Sequence, residues 1–281
     1  MKHADLNFHF DPVCPWAYIT SRWVVEVQQQ RGYEVSWHFI SLFMINDARG
    51  YGEGNKAWRD AHFAGLQALR VASAARAAAG NDAVAAVYTA LGKAIHVDKR
   101  RPEQVGGMQN LLRTVLAESG LNADWANSAD DALHDEVIRY ETDKALEATG
   151  KDVGTPILVF HPGTDRQASF FGPVISSIPR GADALRLWDA VETIATTSGM
   201  AELKRSDAAS PTLATCTSST RPSTCCTIRQ RRSKLPRRIR RSSTPAAPKP
   251  SKLRCRLTRA SRFVNPPTTA STPSKRCTTK V

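Results

Sequence analysis

The sequence has 281 residues and a formal net charge of +13, a length that allows one large or two small domains with a proper core. The charge is unevenly placed: beyond Ser206, 18 Lys or Arg stand against a single acid, Asp207, whereas residues 1–206 carry a net charge of −4. Cys14 is the only cysteine of those 206 residues, Met1-Lys2-His3-Ala4-Asp5 lacks the apolar stretch of a signal peptide, and no apolar run approaches ~18 residues; the composition excludes a disulfide-stapled secreted domain, and a cytoplasmic protein without membrane spans is expected.

In chain order, Leu6, Phe8 and Phe10 alternate with polar residues and predict a half-buried strand. Pro15 suits a first helical position, where its missing N–H costs nothing, and Gly32 supplies a stop, so a helix is predicted between them. Val35-Ser36-Trp37-His38-Phe39 alternates again. Strand, helix and strand within about 35 residues make a βαβ unit with parallel strands. Residues 54–148 change character. Trp58, Ala61, Gly65, Leu69 and Ala72 recur at helical spacing, as do Val84, Val87, Leu91 and Ile95, then Met108, Leu111, Leu112 and Val115, then Leu133, Val137 and Tyr140. Gly80-Asn81-Asp82, Pro102 and Gly120-Leu121-Asn122 punctuate a block of four or five helices.

Strand signals return at Pro156-Ile157-Leu158-Val159-Phe160, with Ala168 to Phe171 as an antiparallel partner. Ala184, Leu187, Trp188, Val191 and Ile194 mark a last amphipathic helix. The order βαβ, helical block, ββα predicts an α/β fold in which a sheet-based domain (residues 1–53 and 149–206) is interrupted by a helical insertion (54–148). Residues 207–281, rich in Ser, Thr, Pro, Arg and Lys and lacking apolar periodicity, are expected to be a disordered basic tail. With Phe263 as the only aromatic and no zinc spacing among Cys216, Cys225, Cys226, Cys255 and Cys277, a nucleic-acid role for the tail is ranked below an out-of-frame reading of a gene's end.

Chemistry concentrates at Cys14-Pro15-Trp16-Ala17. Cys14 falls between a strand and a proline-initiated helix, as an N-cap at the positive end of the helix dipole. Free backbone N–H groups there favour a thiolate, with a pKa lowered to anywhere from ~3.5 to ~7.5. The alternative is a small buried hydrophobe. In the C-x-x-C pattern a second cysteine would stand where this chain has Ala17. Asp11, as a nearby charge, would oppose thiolate formation and is assigned no catalytic role. No Gly-rich phosphate loop, paired-carboxylate site or metal cluster occurs in residues 1–206.

Phe10-Asp11-Pro12-Val13-Cys14-Pro15-Trp16, followed by Thr20-Ser21-Arg22-Trp23, resembles the DsbA-like thioredoxin superfamily, and most closely the actinobacterial mycothiol-dependent nitroreductase family. Ser41-Leu42 with Asn46, Asp152-Val153-Gly154-Thr155-Pro156, and Phe170-Phe171-Gly172-Pro173 leading into Ile178-Pro179-Arg180-Gly181 and Leu187-Trp188-Asp189 extend the similarity from about residue 5 to Arg205. The resemblance implies a thioredoxin-like fold and a thiol-dependent oxidoreductase with mycothiol, or a similar small thiol, as cosubstrate and no tightly bound cofactor or metal. It implies Cys14 as nucleophile and Pro156 as a cis-proline opposite the sulfur, with Thr155 offering backbone to a thiol substrate. Pro15 and Trp16 would flank the thiol, and His96 is similar to a family position facing the cleft.

Ala17 departs from two-cysteine members and implies a monothiol cycle, in which a second small thiol releases the mixed disulfide. The partners expected are a small thiol and a disulfide or electrophilic acceptor. Two other functions are carried alongside: a kappa-type thiol transferase or isomerase, and a non-enzymatic binding module.

Overall fold

The computed structural model describes residues 4–52 and 54–204; the expectations for residues 207–281 lie outside the described residues. Four strands form one sheet in the order β2-β1-β3-β4. β1 (Leu6–Phe10) runs into helix α1 (Pro15–Arg31), and β2 (Val35–Phe39) returns parallel to β1 with Phe8 opposite Trp37 and Phe10 opposite Phe39. β3 (Ile157–Phe160) lies antiparallel on the other side of β1, with His9 opposite Ile157, and β4 (Ala168–Phe171) is antiparallel to β3. Helix α6 (Gly181–Thr196) follows. The mixed sheet, with its βαβ and ββα halves, is the thioredoxin-like arrangement.

Pleating decides what each face buries. Leu6, Phe8 and Phe10 are fully buried, and their face carries the main core. Phe10 stacks on Tyr88 at 3.8 Å between ring centroids, Phe8 meets Trp37 at 5.2 Å, and Phe160 meets Trp188 of α6 at 5.3 Å. Trp23 of α1 packs on Trp188 and donates its indole N–H to the Ala184 carbonyl at 2.9 Å, fixing α1 against α6. A smaller apolar cluster of Ile40, Ile45, Ala145 and Ile157 is separate from this core.

Between β2 and β3 the chain forms α2 (Leu42–Arg49), α3 (Lys56–Gly92), α4 (Met108–Glu118), short turns over 123–134, and α5 (Asp135–Thr149). α3 is broken at Gly80, whose φ of 79° and ψ of −171° lie outside helical space and require glycine, where the Gly80-Asn81-Asp82 signal stands. These helices close the outer edge of β2 with side chains instead of another strand. Asn81 accepts from the Trp37 N–H at 2.8 Å and donates to the Trp37 carbonyl at 2.9 Å; Glu141 accepts from the Phe39 N–H at 2.7 Å; Thr142 accepts from the Ser41 N–H at 3.0 Å. Alternate residues of an edge strand point their N–H outward; the two of Trp37 and Phe39, and that of Ser41 just past the strand, are met in succession.

Some expectations are corrected. α2 has no counterpart among the predicted elements: this eight-residue helix follows β2 directly, capped by the Ser41 hydroxyl accepting from the Met44 N–H. Trp58, Leu133 and Tyr140, read as apolar positions of buried helix faces, are 65%, 86% and 62% exposed. Trp58 lies in the first turn of α3, Leu133 in a short connecting turn, and α5 turns Ile138, Thr142 and Ala145 inward instead of Tyr140.

Candidate active site

The strand-to-helix junction places Cys14 at the head of α1. Its backbone is extended (φ −80°, ψ 113°), its N–H donates to the Asp11 carbonyl at 3.1 Å, and its sulfur accepts from the Ala17 N–H at 3.5 Å. Across the junction, the thiol lies 3.5 Å from the Thr155 carbonyl, to which it donates, and the Thr155–Pro156 bond is cis. The Thr155 hydroxyl donates to the His9 carbonyl at 3.1 Å, tying this loop to β1. The geometry therefore brings Cys14, Thr155 and Pro156 together. Pro15 and Trp16 are half-buried beside the sulfur's helix start, Trp16 packing on the main core.

His96, from the turn after α3, comes to the same junction from behind. Its Nε2–H donates to the Pro12 carbonyl at 2.8 Å, and its ring stacks on Tyr18 at 5.3 Å. A carbonyl only accepts, so this bond fixes the neutral tautomer with the proton on Nε2. Burial, the largest influence, lowers its pKa to about 4, with Lys99 and Arg101 acting the same way and the Pro12 bond opposing. Tyr18 lies against Gly92, where a Cβ would sit 2.3 Å from the ring atom Cδ2.

The charge state of Cys14 corrects the sequence expectation. Cys14 is 7% exposed, and burial pushes its thiol up to about 12, against the N–H groups of Ala17 and Trp16 and reinforced by Asp11. The helix N-terminus is present as expected, but desolvation of a buried sulfur outweighs it. Asp11 is itself fully buried, its two oxygens accepting from the Val13 N–H at 3.1 Å and the Leu42 N–H at 2.8 Å. Burial raises it to about 7 despite those two bonds.

Residues 13–205 match the Rv2466c-like family, described as mycothiol-dependent nitroreductase Rv2466c. The chain belongs to this family. It is also 32% identical, over 204 residues, to the uncharacterized protein Rv2286c of Mycobacterium tuberculosis, covering 72% of this chain and 82% of that protein. Among solved structures, the cytosolic disulfide reductase DsbM from Pseudomonas aeruginosa with GSH aligns at 17% identity and a TM-score of 0.40, over 59% of this chain and 88% of that one. Wolbachia pipientis alpha-DsbA1 aligns at 14% identity and 0.44, over 69% and 86%. The family match carries the assignment: the chain is an oxidoreductase of a thiol-dependent family.

Within the matched residues, the N-cap cysteine faces the cis-proline loop. Asn46, one of the residues that carry the resemblance, donates its amide to the Leu42 carbonyl and lines a separate cavity of about 260 Å³ with Tyr51, Trp58 and His62. Sequence reasoning missed two residues at the Cys14 turn. Asp11 was set aside as a charge, and Gly65 was counted as one step of an apolar repeat. A Cβ at Gly65 would lie 2.5 Å from Asp11 Oδ1 and 2.8 Å from Val13 Cγ2, so α3 reaches the turn only because residue 65 is glycine. Among the described residues no His, Cys, Asp and Glu cluster could hold a metal ion, and no helix is long and apolar enough to cross a membrane.

Proposed function

We propose that the chain is a cytoplasmic thiol oxidoreductase working by a monothiol cycle at Cys14, with mycothiol or a similar small thiol as cosubstrate. One observation carries the reading: the Cys14 sulfur is an N-cap between the Ala17 N–H and the Thr155 carbonyl, and the residue in the resolving position is alanine. Backbone polar groups line both sides of the sulfur, a setting suited to an incoming sulfur compound held as an added strand along Thr155.

The cycle consists of two exchanges. The Cys14 thiolate attacks the RS sulfur of a disulfide RS–SR′; a disulfide bond forms between the Cys14 sulfur and that sulfur as the RS–SR′ bond breaks, and R′S⁻ leaves and takes up a proton. A second small thiol, as thiolate, then attacks that bond, releasing R in a new disulfide and restoring Cys14. Electrons come from the small thiols and end on the acceptor. Pro15 and Trp16 would border the incoming thiol, His96 would hold the turn, and residues 54–148 would form the insertion that covers the thioredoxin-like core.

The test is intact mass of the full chain after incubation with mycothiol disulfide. After digestion, a thiol adduct on the peptide bearing Cys14, removed by added thiol, is expected whatever the five cysteines beyond Ser206 carry, with none on Cys14→Ser at that peptide. Absence of the adduct on Cys14 would overturn the cycle. A second reading is favoured by the neutral, buried thiol: a transferase or isomerase that binds a small thiol without exchanging disulfides. It predicts tight thiol binding with no adduct under the same conditions.

A further inference from the structure

Helix α2 joins the two sides of the Cys14 junction. Its first N–H, that of Leu42, donates to Asp11 Oδ2 at 2.8 Å, on the turn that carries Cys14. Its last residue, Arg49, reaches the other side: the Nη2 group donates to the carbonyls of Lys151 and Val153, the latter at 3.5 Å. Both carbonyls belong to the segment leading into the cis Thr155–Pro156 bond, and the Thr155 carbonyl accepts from the Cys14 thiol. Between its ends α2 lies along that segment. A Cβ on Gly154 would stand 3.6 Å from Leu42 Cδ2, and Ile45 shares the smaller apolar cluster with Ile157, with Val153 packed against it.

These contacts differ in what they can specify. Apolar packing at Ile45 holds helix and segment together without setting where a carbonyl points, because burial is non-directional. The Arg49 contact is directional: two N–H bonds of one planar group meet two carbonyls two residues apart, which fixes the backbone just before Thr155. An arginine in the last turn of a helix is already favourable toward the dipole; here its head is committed to carbonyls more than 100 residues further along the chain.

We propose that α2 is a strut between the Cys14 turn and the cis-proline loop, and that Arg49 is a positioning residue: by holding residues 151–153 it keeps the Thr155 backbone where an extended small thiol or its disulfide pairs with it, without touching that ligand. This role presupposes the small-thiol chemistry at Cys14 proposed above. Release of Arg49 leaves the loop tethered by the Thr155 hydroxyl and the Ile157 packing but lets the Thr155 carbonyl shift. Two consequences of opposite sign then fall on one sulfur. A substrate that needs the backbone seat is aligned less often. The thiol loses its cover and its acceptor, so a reagent that needs no seat reaches it more readily.

The test compares two reagents on the full chain and on Arg49→Gln, each quantified on the peptide bearing Cys14: mycothiol disulfide at low concentration, and iodoacetamide. Arg49→Gln should slow adduct formation from the disulfide about tenfold and speed alkylation about threefold. Its urea midpoint should stay unchanged, because Arg49 is exposed. Arg49→Lys, which keeps the charge and donors but not the planar fork, should recover part of both effects. Rates that move together, or that do not move, would overturn the strut; so would the expected pattern accompanied by a lowered urea midpoint, which marks a general loosening of the fold. If the wild type takes no adduct from mycothiol disulfide, the oxidoreductase reading falls, and hydrogen exchange decides on the strut. Arg49→Gln should then speed exchange about tenfold in the peptide covering 151–157 and leave β1 unchanged; equal protection in the two proteins would overturn it.

Discussion

Two carboxylates in this molecule, one fully and one partly buried, are driven in opposite directions. Asp11, at the Cys14 turn, accepts from two backbone N–H groups and meets no cation, and burial lifts it to about 7. Glu141, on α5 at the edge of β2, is also pushed up by burial, but His38, the Phe39 N–H and Arg76 outweigh this and hold it below the ordinary carboxylate range. Arg76 Nη1 lies 2.7 Å from Glu141 Oε1, and the Arg76 guanidinium sits 4.1 Å above the Phe39 ring. The same side-chain chemistry is thus fixed as an ion where it clamps helices to the sheet and left close to neutrality where the Cys14 sulfur sits. His96 follows the rule of the Cys14 side, being held neutral by burial. A site whose groups are uncharged can open without separating ions; a seam that keeps its groups charged cannot.

The strongest way to break the comparison is to remove the seam's anion. Glu141→Ala leaves Arg76 without its carboxylate and the Phe39 N–H without its acceptor. Glu141 and Arg76 side chains are 13% and 22% exposed, so water only partly compensates. The expected loss is about 3 kcal/mol of unfolding free energy, read as a lower urea midpoint. A loss within the range of an exposed ion pair, below about 1 kcal/mol, would show that the seam is not held by this charge.

A second test sets Asp11 against His9. Asp11 has a folded pKa raised to about 7, so between the ordinary carboxylate value and 7 the folded state holds a proton that the unfolded chain has lost. Its contribution makes the protein less stable as pH rises through that window, by about 1.4 kcal/mol per pH unit. His9, lowered to about 3 by burial and by His38, acts the other way: below pH 6.5 the unfolded chain takes up a proton that folded His9 refuses, so stability falls as pH falls. The two slopes oppose each other in the wild type. His96 adds to the His9 slope, so the wild type already loses stability as pH falls, and Asp11→Asn should remove the opposing slope and steepen that loss from pH 6.5 to pH 4. Urea unfolding at half-unit pH steps would show it, and a profile parallel to the wild type would mean that Asp11 does not carry a raised pKa.

What the sequence could and could not reveal follows from the range of each effect. β1, α1, β2, β3, β4 and α6 were legible because alternation, Pro15, Gly32 and the Trp188 repeat are local signals with local causes. The position of Cys14 at a helix start was legible for the same reason. Its charge was not: the helix N-terminus can be read from Pro15, but the burial that overrides it involves Thr155, 141 residues away. Asp11 is a case of the same kind. Its partners are the backbone of Leu42 and the bare Cα of Gly65, neither of which leaves a side-chain signature. The side-chain closure of the β2 edge by Asn81, Glu141 and Thr142 joins residues 44 to 102 positions apart. Periodicity also overreached, as at Trp58 and Tyr140, because an apolar residue at helical spacing is buried only if something packs over it.

The smallest effect expected is at His96, and its dependence on pH sharpens the contrast between the two regions. His96→Phe keeps an aromatic ring to stack on Tyr18 but loses the 2.8 Å bond to the Pro12 carbonyl. At pH 8 both the folded and unfolded histidine are neutral, and the variant should be less stable by about 1 kcal/mol, the net worth of one buried hydrogen bond. Below pH 6.5 the comparison changes. Folded His96 resists protonation to about pH 4, whereas the unfolded histidine takes its proton at the ordinary value, so the wild type loses stability as pH falls and the phenylalanine variant does not. At about 1.4 kcal/mol per pH unit, the deficit of the variant should vanish by roughly pH 5.5 and reverse below it. Glu141→Ala should show no such reversal there: Glu141's folded pKa is lowered, so its contribution is complete above the ordinary carboxylate value and fades only in stronger acid. If His96→Phe is equally destabilised at pH 8 and pH 5, the imidazole is not held neutral by burial, and the distinction between an uncharged site and a charged seam would lose one of its supports.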